Sequence, residues 1–158
     1  MSYKLYNKYT PLNLDEINNW FEKHPDAILV SDKINEPTLF SKAFIDPERL
    51  IMELFTEVAL REGAKCDDLT VMPTQHLIQK LDWKSIIDLE IKYVAVSRFF
   101  IQKNKTLLKK LKENNIKVYV YSVNQDGGVI DSGMDEEYVT KYELDYVYGM
   151  YADDWTFK

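Results

Sequence analysis

The sequence has one cysteine, Cys66, so no internal disulfide can form and no thiolate cage for zinc or an iron–sulfur cluster can be built. Histidine is nearly as scarce. His24 and His76 stand far apart, without a second imidazole or a carboxylate at ligand spacing, which removes the usual zinc and imidazole acid–base signatures. There are only five glycines, and Gly127-Gly128 is not followed by a helix start at phosphate-cradle spacing, so a P-loop is excluded. No Ser-His-Asp or Cys-His arrangement is visible. No apolar run approaches the roughly 20 residues that cross a bilayer. The opening Met1-Ser2-Tyr3-Lys4-Leu5-Tyr6 is polar and aromatic, without a signal-peptide pattern, so the expected setting is reducing and cytoplasmic. Basic residues are the minority, 20 against 26 acids, and the net charge of -6 repels phosphate backbones, so no nucleic-acid partner is expected.

What the sequence does have is a globular balance, 46% hydrophobic and 29% charged, over 158 residues that suit a single domain spanning 1–158. Asn13 with Glu16 three residues on reads as a capping box. Leu14, Ile17, Trp20 and Phe21 then recur at helical spacing over 14–23. Ala27-Ile28-Leu29-Val30 follows as a continuous apolar run ending in Ser31-Asp32-Lys33, the mark of a strand covered on both faces. The same unit repeats. A helix near 37–44 leads to a strand at 50–55, and a helix over 56–63, with Gly63 as C-cap, leads to a strand at 69–72. Helices at 75–81 and 83–90 precede a strand at 93–97. A Leu- and Lys-rich helix over 103–114 precedes the strand at 117–123, and a helix near 135–142 precedes a last strand at 145–148. Six strands alternating with helices predict an α/β fold with a parallel sheet.

In such folds reactive groups gather at the carboxyl ends of the strands. Those positions hold Asp32 and Lys33, Glu53, Met72 to Thr74, Ser97 and Arg98, Tyr121 and Asn124, and Gly149 to Tyr151. Two carboxylates with a lysine and an arginine around one rim could hold a divalent cation and a phosphate together, though strand ends are polar in any protein. Glu53 is the most telling. It lies between Met52 and Leu54 in an apolar run, where an ionised carboxylate needs a partner, with Arg49 or Arg98 as the structural candidates. The Leu/Lys stretch 103–113 could be taken for a membrane or nucleic-acid helix, but the acidic net charge favours the solvated face of a core helix, and the tyrosines of 142–155, without basic residues between them, read as packing before a stacking platform.

The succession Tyr9-Thr10-Pro11-Leu12-Asn13-Leu14-Asp15-Glu16, then Asp26-Ala27-Ile28-Leu29-Val30-Ser31-Asp32-Lys33, resembles the middle of the glycerophosphodiester phosphodiesterases, with their "TPLTLEEL…hLVTDxK"-like stretch. Arg49-Leu50-Ile51-Met52-Glu53-Leu54-Phe55 resembles the family's next strand. Asn115-Ile116-Lys117-Val118-Tyr119-Val120-Tyr121-Ser122-Val123-Asn124 is similar to its "gikVyvWTVN" strand, and 145–153 to its closing "GvDgIyTD" segment. The resemblance implies a partial TIM (β/α) barrel of six parallel strands with intervening helices, corresponding to the family's third to eighth. It lacks the His-Arg-Gly signature, the Glu-x-Asp metal ligands and the second catalytic histidine, so no catalytic residue is assigned. By the same resemblance Asp32 is a ligand of a divalent metal, Ca²⁺ or Mg²⁺, with Glu53 as an extra ligand. Lys33 or Arg98 would hold the phosphate of a glycerol phosphodiester, Tyr121 would face the glycerol, and Asn124 matches the family's asparagine. The family's usual lysine position is Ile34 here, with Lys33 one step earlier. The implied parent activity is metal-dependent hydrolysis to glycerol 3-phosphate and an alcohol, weak or absent in this chain alone. The alternative is a catalytically inactive binding or assembly domain of the same fold. A barrel two strands short exposes two parallel edges, which Tyr3-Lys4-Leu5-Tyr6, a second copy of the chain or a separate amino-terminal segment could cover.

Overall fold

The computed structural model describes residues 12–121 and 147–151. Helix α1 (Leu14–Lys23) starts as its capping box demands: the Glu16 amide donates to Asn13 Oδ1 at 3.0 Å, and the Asn13 amide donates to Glu16 Oε2 at 2.8 Å. Two orphan amides are thereby satisfied, and Phe21 is turned into the core, edge-on to Phe44 at 5.0 Å. The chain continues as β1 (Leu29–Ser31), α2 (Pro37–Ala43), a short 3-10 turn and β2 (Leu50–Leu54). Then come α3 (Glu57–Gly63), β3 (Thr70–Pro73), α4 (Gln75–Lys80), α5 (Trp83–Asp88) and β4 (Tyr93–Ser97). Helices α6 (Arg98–Lys103) and α7 (Lys105–Glu113) lead to β5 (Lys117–Tyr121) and, further on, β6 (Gly149–Met150).

Every strand pairing is parallel. β1, β2 and β3 form one three-stranded sheet and β4, β5 and β6 a second, each in chain order. β3 and β4 are neighbours in space, yet no backbone ladder joins them. A side chain fills in at their carboxyl ends: Gln75 Oε1 accepts from the Ser97 amide at 2.9 Å and from Ser97 Oγ at 2.8 Å. The parallel α/β expectation therefore holds in a coarser form. Among the described residues, the six strands are divided between two small sheets and form no closed barrel.

Alternation along each strand sorts the side chains into two cores. One set, including Leu50, Met52, Leu54, Val94, Val96, Val118 and Val120, packs under the helices through Leu60, Leu77, Ile86, Leu108 and Leu111. The intervening residues form a separate cluster on the opposite side: Ile51, Met72 and Ala95 are buried, with Val30, Tyr93, Tyr119, Tyr121 and Tyr151 packed against them. This second cluster is made of strand residues and the residue just past β6. A face covered by its own strands, with the helices elsewhere, is where a ligand can approach the strand ends.

Three boundaries differ from the sequence reading. The helix expected over 103–114 runs from Lys105 to Glu113 and is preceded by an unexpected helix, Arg98–Lys103; the two meet at Asn104, whose side chain amide donates to the Phe100 carbonyl at 2.9 Å and so competes with a continuous helix. Gly63 is the last residue of α3 and not its cap; Ala64 takes that place in an ordinary right-handed conformation. The last strand lies at Gly149–Met150, two residues beyond the expected Tyr148, while Tyr148 itself donates its amide to the Val118 carbonyl. The expected helix near 135–142, residues 122–123 of the fifth strand and the edge-covering segment 3–6 lie outside the described residues.

Candidate active site at the carboxyl ends of the strands

Parity along the strands brings the candidates together. Asp32 follows Val30, Glu53 follows Ile51, Tyr121 follows Tyr119, and Tyr151 follows Gly149, all on the side opposite the helices. Glu53 is the centre. It is only 8% exposed, and its Oε2 accepts a hydrogen bond from Tyr151 Oη at 3.2 Å. That bond joins β2 of the first sheet to the end of β6 in the second, 98 positions apart in the chain.

Burial pushes the Glu53 carboxyl above the usual carboxylate range, and the nearby charge of Asp32 pushes it further; the Tyr151 hydrogen bond and Lys33 pull it back in part. The phenols respond to the same charge. Tyr151 is raised far above its ordinary value by burial first and the Glu53 charge second, and Tyr121 is raised for the same two reasons. Both stay protonated, and the one hydroxyl hydrogen of Tyr151 is donated to Glu53.

A testable consequence follows from the direction of the Glu53 shift. The folded chain holds this proton more tightly than the unfolded chain does. Stability from the protonated carboxyl is thus fully present below the ordinary value of 4.5 and is lost as pH rises through the higher folded value. Glu53→Gln keeps an acceptor for Tyr151 and carries no charge. It is expected to melt at a higher temperature than the parent at neutral pH, with the gain disappearing below about pH 4.5. Thermal scans followed by circular dichroism across that range measure it; a difference in melting temperature that does not change with pH would contradict the assignment.

The remaining candidates are placed differently. Lys33 reaches Asp32 at 3.4 Å, but its side chain is 84% exposed, so the pair is a solvent-exposed contact at the rim. Its backbone lies in the left-handed region, φ 65°, a conformation that costs a lysine energy and is enriched at functional strand ends. Arg98 opens α6 at the carboxyl end of β4 and is half-buried. Arg49 is not the partner of Glu53: its guanidinium binds Asp46 at 2.7 Å and donates to the carbonyls of Phe21, His24, Pro25 and Ala27 near the start of β2. His24 stacks on Trp20, with ring centroids 3.8 Å apart, and His76 is exposed in the first turn of α4; neither acts on Glu53. Asn124 lies outside the described residues.

The sequence puts Tyr151 at a strand end but gives it no role beyond packing, and it does not place Tyr119 at the site. Their signal was the alternation 119, 121 and 149, 151, which puts a ladder of rings behind Glu53. Tyr121 and Tyr151 centroids lie 6.4 Å apart, Tyr151 and Tyr119 6.2 Å, and Tyr119 and Tyr148 5.6 Å. Gly149 is required in this ladder because a Cβ there would sit 2.6 Å from Tyr119 Cε1.

No family model, curated protein or solved structure matches this chain. Its chemistry must therefore be argued from the site. Among the described residues, no three His, Cys, Asp or Glu side chains converge, so Asp32 and Glu53 stand as a pair of carboxylates. The hollow of about 450 Å³ lined by Arg61, Lys65, Asp88 and Glu90 touches none of Asp32, Glu53, Tyr121 or Tyr151, and its mixed exposed charges mark it as a groove between surface elements.

Proposed function

We propose that this chain is a glycerophosphodiester-phosphodiesterase-like domain, a partial (β/α) barrel whose carboxyl-end rim binds a glycerol phosphodiester with a divalent cation. The observation that carries the reading is the Tyr151–Glu53 hydrogen bond, which links the two parallel sheets across a face that, among the described residues, is lined by strand side chains and Tyr151. Curved parallel strands with helices on the far side are what a barrel wall requires.

The donor set suits a hard cation only within limits. Asp32 and Glu53 supply carboxylate oxygens, and the upward push of Asp32 on Glu53 is the repulsion that a cation between them would relieve. Two carboxylates fit a magnesium-like ion that keeps most of its water and shares its shell with a substrate phosphate, and they are too few for an all-protein calcium cage. When bound, such an ion would polarise the phosphoryl oxygens. In this reading Lys33 or Arg98 neutralises the phosphate, Tyr121 donates to the glycerol hydroxyls while the Tyr151 hydroxyl stays on Glu53, and among the described residues Glu53 is the buried carboxyl able to hold a proton beside them. Asn124 is proposed, from the resemblance alone, as a further contact.

Because neither His24 nor His76 acts on Glu53, the proposed role of the chain by itself is binding, with hydrolysis weak or absent. Titration calorimetry with glycerophosphocholine, in Mg²⁺ and in chelator, tests this. Binding is expected to need the metal and to fall at least about tenfold in Asp32→Asn and in Glu53→Gln, the usual cost of losing a charged contact. An assay for released choline is expected to show little turnover until an amino-terminal segment carrying the family's histidines is supplied. Binding that ignores both the metal and the two substitutions would overturn the proposal.

A further inference from the structure

We propose that the surface formed by α6, α7 and the start of α5 docks on anionic membrane surfaces. The charge distribution points there first. Between Arg98 and Lys117 stand seven basic residues and a single acid, Glu113, in a chain whose net charge is -6. The rest of the chain is therefore strongly acidic in sum, so an anionic plane attracts this stretch and repels the remainder.

The structure adds what the sequence does not contain. Helix α7 buries Leu108 and Leu111 in the core beneath it and so lies flat, with Lys105, Lys109 and Lys110 exposed. Two ammonium groups stand on aromatic rings: Lys103 Nζ is 3.9 Å from the centroid of Phe99, and Lys110 Nζ is 4.2 Å from that of Trp83 on α5. Phe99 is 48% exposed, an apolar ring held at the surface among lysines. Lysines that flank an exposed aromatic ring match the layered chemistry of a bilayer surface, with anionic headgroups outside and an apolar boundary just beneath. Nucleic acid is the poorer fit. A nine-residue helix packed flat on a core cannot enter a groove, the stretch holds one arginine, and a bare phenylalanine gains nothing from a phosphate backbone. Apart from Arg98, which opens α6 at the rim, the surface shares no residue with the candidate site, and none of the residues substituted below belongs to it, so the two proposals are tested separately.

Co-sedimentation with vesicles of pure phosphatidylcholine, and of phosphatidylcholine mixed with phosphatidylglycerol, provides the test. The full chain is expected to bind the mixed vesicles only, and to be released as salt shortens the reach of the charges. Each lysine near the surface is worth about fivefold in partitioning, so the combined substitution of Lys103, Lys105, Lys109 and Lys110 by glutamine should reduce binding at least about 100-fold. Phe99→Ser should reduce it several-fold with the charge intact. Circular dichroism of both variants separates lost binding from lost folding, and a misfolded combined variant is replaced by Lys105→Gln with Lys109→Gln. The proposal fails if the chain ignores both vesicle types. It fails equally if the chain binds heparin or duplex DNA as well as it binds the mixed vesicles and Phe99→Ser changes neither, since that pattern is polyanion binding without a membrane.

Discussion

Replacing Gly63 with valine is expected to lower the unfolding free energy by about 3 kcal/mol, the upper part of the range for overpacking a filled core. Gly63 is buried at the end of α3, and a Cβ there would lie 2.7 Å from Val71 Cγ1, 3.1 Å from Pro37 Cβ and 3.2 Å from Leu54 Cδ1. None of the three can step aside cheaply. Val71 is on β3, Pro37 is a rigid ring at the start of α2, and Leu54 is fully buried. Valine adds two methyl groups beyond that Cβ. Alanine offers a sharper comparison, because its better helix propensity favours it by about 1 kcal/mol. The contacts outweigh that preference, and Gly63→Ala is expected to be less stable than the parent by about 1 kcal/mol. Urea denaturation at unchanged slope measures both, and an alanine variant more stable than the parent would show that the packing has room.

Gly63 also shows where local reading stops. A glycine at the end of a helical stretch is read as a cap, since that is the common local reason for it. Here the reason is the close approach of α3 to β3 and α2, which no local pattern reports. The strands at Tyr93–Ser97 and Lys117–Tyr121 were legible because long β-branched and aromatic runs leave little alternative. β1 was legible as a strand but not in its start, since Ile28 in the same apolar run is 55% exposed and the ladder begins at Leu29. Helix α6 was hidden because Phe99-Phe100-Ile101 continues the apolar run of β4; only the Ser97 side chain, which accepts from the Phe100 amide, marks the change of period. The break between β3 and β4 has no local signature at all. It arises where two twisted sheets meet and a glutamine side chain replaces the missing ladder bonds.

The candidate site divides in the same way. Asp32, Glu53 and Tyr121 were placed at strand ends by a rule of parallel α/β folds, and strand parity puts them on one face. The partner of Glu53 was not legible. A buried carboxylate demands a partner, and the sequence offers arginines at 49 and 98, but Arg49 is spent on Asp46 and on four carbonyls of the turn before β1. The partner is a phenol 98 positions away on the second sheet, brought to Glu53 by tertiary packing that no window of sequence contains. A neutral donor leaves Glu53 above its usual range where an arginine would have held it below, so the missed residue decides the protonation chemistry of the site.

Leu111→Ala is expected to cost about 3 kcal/mol, within the range for truncating a buried leucine, even though it lies in a helix dense with lysine. Leu111 is fully buried and Leu108 almost so, while Lys109 on the same helix is exposed and meets Glu113 only at 3.8 Å. The lysines contribute little to folding because exposed ion pairs are worth well under about 1 kcal/mol. The helix is held by its leucines, and its carbonyl at Leu111 accepts from Ile116 as the chain turns into β5. Loss of the isopropyl group leaves a cavity under both α7 and β5, where Val118 and Val120 complete the same core. Lys109→Ala, by contrast, should move stability by no more than about 0.5 kcal/mol. The contrast between these two substitutions, two positions apart, separates the face that holds α7 in place from the face that is free to meet a membrane. Equal effects at 109 and 111 would mean that the lysines are part of the fold and are not available to a partner.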